Sequence, residues 1–157
     1  MEAITINYKG YLITTDKTLM KVDDVHSWIS EESYWAKGIP FEIFKKSFDH
    51  SFCAGALFGD KQIAFARLLT DYAVFGYLAD VYVEEEHRGK GISKKMLEII
   101  FGLDWVRGLR NIKLGTRDAH GLYEQYGFTD CKHPERMMEL NRQDIYKPLT
   151  PEGEPAI

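Results

Sequence analysis

The chain has 157 residues, 45% apolar and 28% charged, with a formal net charge of −4; this is a globular composition, and its acidic balance excludes a nucleic-acid partner bound through bulk positive charge. Its two cysteines, Cys53 and Cys131, lie far apart and outside any Cys/His cluster, so neither a disulfide framework nor a metal site is expected. No signal peptide is read at the N-terminus and no window approaches the roughly 20 apolar residues of a spanning helix, so the expectation is a cytoplasmic protein with no membrane partner.

Tyr11 to Thr15 is short and β-branched and reads as a first strand. Val22, Val25, Trp28 and Ile29 recur at helical spacing, with Asp23 and Asp24 where acids suit the helix dipole, and this helix ends near Glu32. A loop follows through Tyr34 and Trp35. Pro40 opens a second helix that places Phe41, Phe44 and Phe48 on one face. Ser51 to Phe58 and Gln62 to Leu69 flank Gly59-Asp60 as a hairpin, and Phe75 to Val83 is a third long strand. Ile92, Met96, Ile99, Ile100 and Leu103 trace the stripe of an amphipathic helix. Asn111 to Leu114 is a short strand. Ala119 to Tyr126 is a short helix stopped by Gly127, and Phe128 onwards with Arg136 to Leu140 reads as closing strand pieces. The order β-α-α-β-β-β-α-β-α-β predicts an α/β (α+β) fold: one mixed sheet with helices on both faces. Residues 1–148 read as a single domain, and 149–157 as a flexible C-terminal tail.

The stretch that carries chemistry is the strand end Val81-Tyr82-Val83, a polar loop, and then Arg88-Gly89-Lys90-Gly91-Ile92-Ser93 opening a helix. The N–H groups of a helix's first turn lack partners within the helix, and the dipole places positive charge there. Glycines let an anion approach the backbone closely. Arg88, Lys90, Lys94 and Lys95 add positive charge, so a pyrophosphate is the natural occupant. Neither the P-loop pattern nor the dinucleotide Gly-x-Gly-x-x-Gly is present, since Lys94 stands at the third glycine position.

Arg88 to Ser93 resembles the Arg/Gln-x-x-Gly-x-Gly/Ala motif of the GNAT superfamily of acyl-CoA N-acyltransferases, with Ser93 where Gly or Ala is usual. Ala119-His120-Gly121-Leu122-Tyr123-Glu124-Gln125-Tyr126-Gly127-Phe128 resembles the family's Ala-x-x-Leu-Tyr-Glu-x-x-Gly-Phe segment, with Thr116 where Asn is frequent. The resemblance extends to a group of small bacterial GNAT proteins. It implies a mostly antiparallel central sheet and acetyl-CoA as cosubstrate. The pantetheine arm would pair with the edge of Val81-Tyr82-Val83 and thread between this strand and the one at Ile112 to Leu114. Arg88 to Ser93 would bind the pyrophosphate, with Thr116 and Tyr126 also on the cofactor side.

The implied reaction is direct attack by the primary amine of a small molecule in a ternary complex, with Tyr123 as general acid. Asp80 is a carboxylate inside an apolar strand and therefore has either a partner or a task. It is read as a base, or as a structural group bonded to backbone or to Arg117. Strand alternation puts Tyr77, Ala79, Val81 and Val83 on the opposite face from Asp80. His120 shares the helix face of Tyr123 and is read as a base or as a capping residue, with proton removal through water as a further route. By the resemblance, family bases in this strand lie near positions 77 and 79, so Tyr77 joins Tyr34 and Trp35 as acceptor-binding candidates. The aromatic pair of the loop otherwise plugs the core between helices. Glu84-Glu85-Glu86 reads as a solvated loop. A non-catalytic acyl-CoA-binding module and a peptide or protein N-acetyltransferase are the alternative functions. Exposed strand edges are compatible with a homodimer.

Overall fold

The structure, a computed structural model, describes residues 2–148; the tail expected over 149–157 lies outside the described residues. β1 (Thr5–Tyr8) and β2 (Tyr11–Thr14) form a hairpin about Lys9 and Gly10, whose φ angles are 49° and 83°. Two successive left-handed residues give the tight turn whose twist matches the strands it joins. The expected single first strand is thus the second arm of a hairpin. Lys9 is an unusual residue for such a turn, which leaves Gly10 as its only strong sequence signal.

α1 (Val22–Glu32) and α2 (Phe41–Asp49) follow, with Asp23 and Asp24 in the first turn of α1 and Pro40 capping α2. β3 (Phe52–Phe58), β4 (Lys61–Thr70) and β5 (Phe75–Val83) form a meander. α3 (Ile92–Gly102) leads through a short α4 (Asp104–Arg107) to β6 (Asn111–Leu114) and α5 (His120–Glu124). The sheet has six strands in the order β1-β2-β3-β4-β5-β6. Every pairing is antiparallel except β5 with β6, which is parallel, as a helical crossover between them requires.

Each face of the sheet carries its own apolar layer. Ile92, Met96, Leu97 and Ile100 of α3 pack with Ile13, Ala64, Leu68 and Leu78 on one side. Val25, Trp28 and Ile29 of α1 pack with Phe44, Phe48 and Phe65 on the other. Helical stripes at three- and four-residue spacing meet strand residues at alternate positions, the pattern of a sheet buried on both faces.

The closing strand is corrected. Among the described residues no strand forms after Leu114; Pro134–Arg136 is a short 3-10 turn. Pro134 has no N–H for a ladder and biases His133 as well. Met138 and Leu140 are 96% and 80% exposed, so no buried face fixes a register for them. The segment instead returns to the α1–α2 loop, where Tyr146 packs on the α1/α2 layer and Gln143 Nε2 donates to the Tyr34 carbonyl at 3.0 Å.

Phe65 is fully buried between the rings of Phe44 and Phe48, with centroids at 6.3 and 6.0 Å. Phe65→Ala should lower stability by about 3–5 kcal/mol, the usual cost of a large core truncation. Urea denaturation checks this: the midpoint should fall, and a shift under 1 kcal/mol would show that the α1/α2 layer does not pack on the sheet as described.

Candidate active site

The glycine loop connects β5 to α3 through a 3-10 turn at Glu85–His87. Gly89 and Gly91 have φ of 72° and 81°, in the left-handed region that side chains disfavour. Gly91 is the N-cap of α3, and no side chain caps that end. The first-turn N–H groups of an eleven-residue helix therefore point outward with the dipole behind them.

The cations around this loop hold the loop itself. Arg88 Nε donates to the Val83 carbonyl at 2.8 Å, and its guanidinium lies over the Tyr82 ring. Lys90 Nζ turns back to the Glu86 carbonyl at 3.1 Å and the Tyr11 hydroxyl at 3.3 Å. The Tyr11 hydroxyl also pairs with His87 Nδ1 at 2.9 Å. The Glu84–Glu86 run is only partly solvated, because Glu84 accepts from Trp28 Nε1 at 3.1 Å and pairs with Lys61 at 2.8 Å.

β5 and β6 are paired only over Phe75–Leu78 and Asn111–Leu114. Ala79 to Val83 continue with β4 alone, so the outer edge of Val81-Tyr82-Val83 is unpaired among the described residues. A register shift falls between Phe65 and Arg67, where Asp80 and Val81 together oppose one residue of β4. Asp80 has φ of 54° and is the bulged residue. The bulge reverses the alternation. Tyr77 and Tyr82 lie on the α1/α2 side, while Val81 and Val83 pack with the α3 layer. The expected face shared by Tyr77, Ala79, Val81 and Val83 is therefore incorrect, because strict alternation holds only without a bulge.

Asp80 is 8% exposed and fully partnered. Its Oδ2 accepts from Arg67 Nε and its Oδ1 from Trp35 Nε1, both at 2.8 Å. The expected Arg117 is elsewhere: its guanidinium lies 4.3 Å from the centroid of the Tyr34 ring. Arg67 went unrecognised in the sequence, although it is the one charged residue in the apolar run from Gln62 to Leu69. Tyr34 and Trp35 are 50% and 37% exposed and meet edge-on at 5.0 Å, so they are no plug in the core.

Tyr123 and His120 project from α5 into a cleft of about 770 Å³, which Tyr77, Thr116 and Cys131 also line. Tyr123 is 9% exposed, and burial raises its pKa above the usual tyrosine value, with Tyr34 and Asp118 adding to the effect. Its hydroxyl thus keeps its proton at neutral pH. His120 is exposed at the helix start. Thr116 Oγ1 accepts from the Ala119 N–H at 3.0 Å and fixes the approach to α5. The Tyr126 hydroxyl donates to the Lys94 carbonyl at 2.8 Å and ties this turn to α3. The structure thus brings Thr116, His120, Tyr123 and Tyr77 to one cleft, and sets Tyr34, Trp35 and Asp80 together on the α1/α2 side.

An outward-facing helix start that follows a partly unpaired strand, together with a buried protonated tyrosine in a cleft lined by the neighbouring strand, suits a group transferase with an anionic cosubstrate. Comparison with known proteins narrows the class. The family model described as "Acetyltransferase (GNAT) domain" matches residues 49–130. A candidate acetyltransferase of Gibberella zeae is 30% identical over 134 residues, 72% of this chain and 75% of that one. The crystal structure of a candidate GNAT acetyltransferase from Xanthomonas campestris pv. campestris is 39% identical with a TM-score of 0.86, covering 90% of this chain and 100% of that one. A structure of a Clostridium acetobutylicum acetyltransferase candidate with acetyl-CoA shares the fold at 20% identity and a TM-score of 0.57, covering 89% of this chain and 95% of that one. The chain belongs to the GNAT acetyltransferase family and is an acyltransferase.

Burial of Tyr123 has a measurable consequence. A tyrosine whose folded pKa lies above its unfolded value binds its proton more tightly when folded. It stabilises the fold below the unfolded pKa, and that contribution is lost as pH rises from there through the folded pKa. In a difference titration of phenolate absorbance, the group missing from Tyr123→Phe should titrate above the ordinary value near 10. Titration at or below that value would show an exposed or anion-stabilised hydroxyl.

Proposed function

We propose that the protein transfers an acetyl group from acetyl-CoA to a primary amine of a small molecule by direct attack in a ternary complex. The observation that carries this reading is the buried, protonated Tyr123 in a cleft lined by Tyr77 of β5 and by Ile112, Lys113 and Leu114 of β6, the two strands that part beyond Leu78. The pyrophosphate would sit on the backbone N–H groups from Gly89 to Ser93, where a helix start offers donors and positive potential without a side-chain anion in the way. The pantetheine arm would add as a short strand to Val81-Tyr82-Val83, and an N–H of that edge would polarise the thioester carbonyl.

Transfer then needs the amine deprotonated and the departing thiolate protonated. Tyr123 supplies the proton to sulfur. Both oxygens of Asp80 are engaged by Arg67 and Trp35, which favours His120 or water as the route for the amine's proton. An acyl-enzyme is not needed. Cys53 lies in the α1/α2 core layer with its thiol pushed up to about 12 by burial, and no base is hydrogen-bonded to Cys131 among the described residues. The two unpaired cysteines suit a cytoplasmic location, and among the described residues no helix is long and apolar enough to cross a membrane.

Acetyl-CoA should bind and stabilise the fold, by about 2.7 kcal/mol at 100 times its Kd. Calorimetry showing no binding at millimolar cosubstrate would end this reading. Tyr123→Phe keeps the ring and removes only the acid. kcat should fall by on the order of 10²–10⁴ while both KM values stay nearly constant, because the hydroxyl acts in the transition state. Thiol release across a panel of amines measures this, and single-turnover rates separate chemistry from product release. An unchanged chemical step would remove Tyr123 from the mechanism.

A further inference from the structure

The Tyr34–Trp35 loop is fastened from three distant parts of the chain. Arg117 stacks on the Tyr34 ring, Gln143 donates to the Tyr34 carbonyl, and Asp80 accepts from the Trp35 indole. The first two contacts lie at the surface. The third rests on a buried ion pair, with the Arg67 and Asp80 side chains only 13% and 6% exposed. Arg67 is itself fixed, because Nε holds Asp80 while Nη1 donates to Ser51 Oγ at 3.2 Å.

A buried ion pair is a poor device for stability alone, since desolvation of the two charges offsets most of their attraction. Its geometry gives it another use. The bulge turns Asp80 out of the β5 ladder at a left-handed φ, a conformation that Asp tolerates better than most residues. One carboxylate oxygen faces the guanidinium in the sheet and the other faces the loop. Trp35 is anchored at its Nε1 end, yet more than a third of the residue remains exposed. Tyr34 adjoins it edge-on and carries the guanidinium of Arg117, the residue that follows the cleft-lining Thr116. The fastened aromatic wall therefore borders the transfer site.

We propose that Arg67 is a positioning residue for the acceptor: it orients Asp80, which holds the Trp35 indole, so that the aromatic loop keeps one conformation while acceptors exchange. The inference rests on the transfer reading above and specifies what fixes its acceptor half. The contacts made by Arg67, Asp80 and Trp35 are separate from those that shape the glycine loop, so the cosubstrate half should not respond. A lysine at position 67 would restore the charge but not the fork that reaches both Asp80 and Ser51.

The test is steady-state thiol release with the amine that the wild type uses best. Trp35→Phe removes the N–H donor together with the five-membered ring and keeps an aromatic side chain. It should raise the acceptor KM about tenfold, the worth of one hydrogen bond to a charged group, and leave the acetyl-CoA KM within about twofold. Arg67→Lys should shift the acceptor KM in the same direction by a smaller factor. Arg67→Met alone strands a buried carboxylate and is at risk of not folding, so Arg67→Met/Asp80→Asn, which removes both charges and keeps a residue that tolerates the left-handed φ, is made beside it. The double variant should fold, bind acetyl-CoA normally and share the raised acceptor KM. The indole N–H resonance that Trp35→Phe deletes should also move in Arg67→Lys, which reports the loop without any acceptor. If the variants lower the melting temperature but keep the acceptor KM, or raise both KM values equally, the pair is structural and the inference is overturned. If the wild type itself releases no thiol with any amine, the transfer reading fails and the inference falls with it.

Discussion

β5 is bound on both sides for half its length and on one side for the rest. Over Phe75–Leu78 it pairs with β4 and β6; beyond Leu78 only β4 remains among the described residues. Backbone N–H and C=O groups demand partners, so a strand edge left open is a template for an extended ligand. The bulge at Asp80 falls just where β6 departs, and it reverses the faces of the strand's last residues. Val81 and Val83 anchor that end to the α3 layer, which also carries the glycine loop. Tyr82 turns to Trp28, stacks on it, and pairs with Glu32 of α1. One extra residue in the ladder thus fixes the open edge against both helical layers at once.

The basic residues near α3 have a different role from the one that their number implies. Arg88 and Lys90 bond to backbone carbonyls of their own loop, and Lys95 pairs with Glu98 at 2.9 Å. Charge committed in this way shapes the loop and is only partly available to an incoming anion. What the loop leaves free for an anion is mainly backbone N–H groups, set between glycines at positions 89 and 91. Gly91 is tightly bounded as well, since a Cβ there would stand 2.9 Å from the Tyr8 hydroxyl. The β1–β2 hairpin, through Tyr8 and Tyr11, is therefore part of the wall behind the loop.

Much of this was legible in the sequence, and unevenly so. The α1, α2 and α3 stripes were readable because helical periodicity reports burial directly. The hairpin at Gly59 and the start of α3 at Gly91 were readable because glycine marks left-handed positions. The bulge was not. Nothing in Tyr77-Leu78-Ala79-Asp80-Val81-Tyr82 says which residue leaves the ladder, although an acid in the middle of an apolar strand marks the place. Its partner Arg67 was hidden for the same reason: an ion pair across two strands leaves no periodic trace. The closing strand was overread because Met137, Met138 and Leu140 look apolar, and exposure is invisible to composition.

The two halves of the site differ in how the chain builds them. On the cosubstrate side the loop's own contacts are short in sequence, with Arg88 to Val83 spanning five residues and Lys90 to Glu86 four, and only its outer wall at Tyr8 and Tyr11 comes from far along the chain. Such a unit is written in one string and shows as a motif. On the acceptor side Trp35 meets Asp80 across 45 residues, and Gln143 meets Tyr34 across 109. That half exists only after the sheet, the α1–α2 loop and the C-terminal segment have come together. No short pattern encodes it, so a motif that identifies the cosubstrate is silent about the amine. The same separation lets the acceptor wall change by substitution in loops while the strand edge and helix start stay as they are. Under the proposed transfer, acceptor choice would then rest on the residues that fasten the Tyr34–Trp35 loop, and these lie outside both motifs.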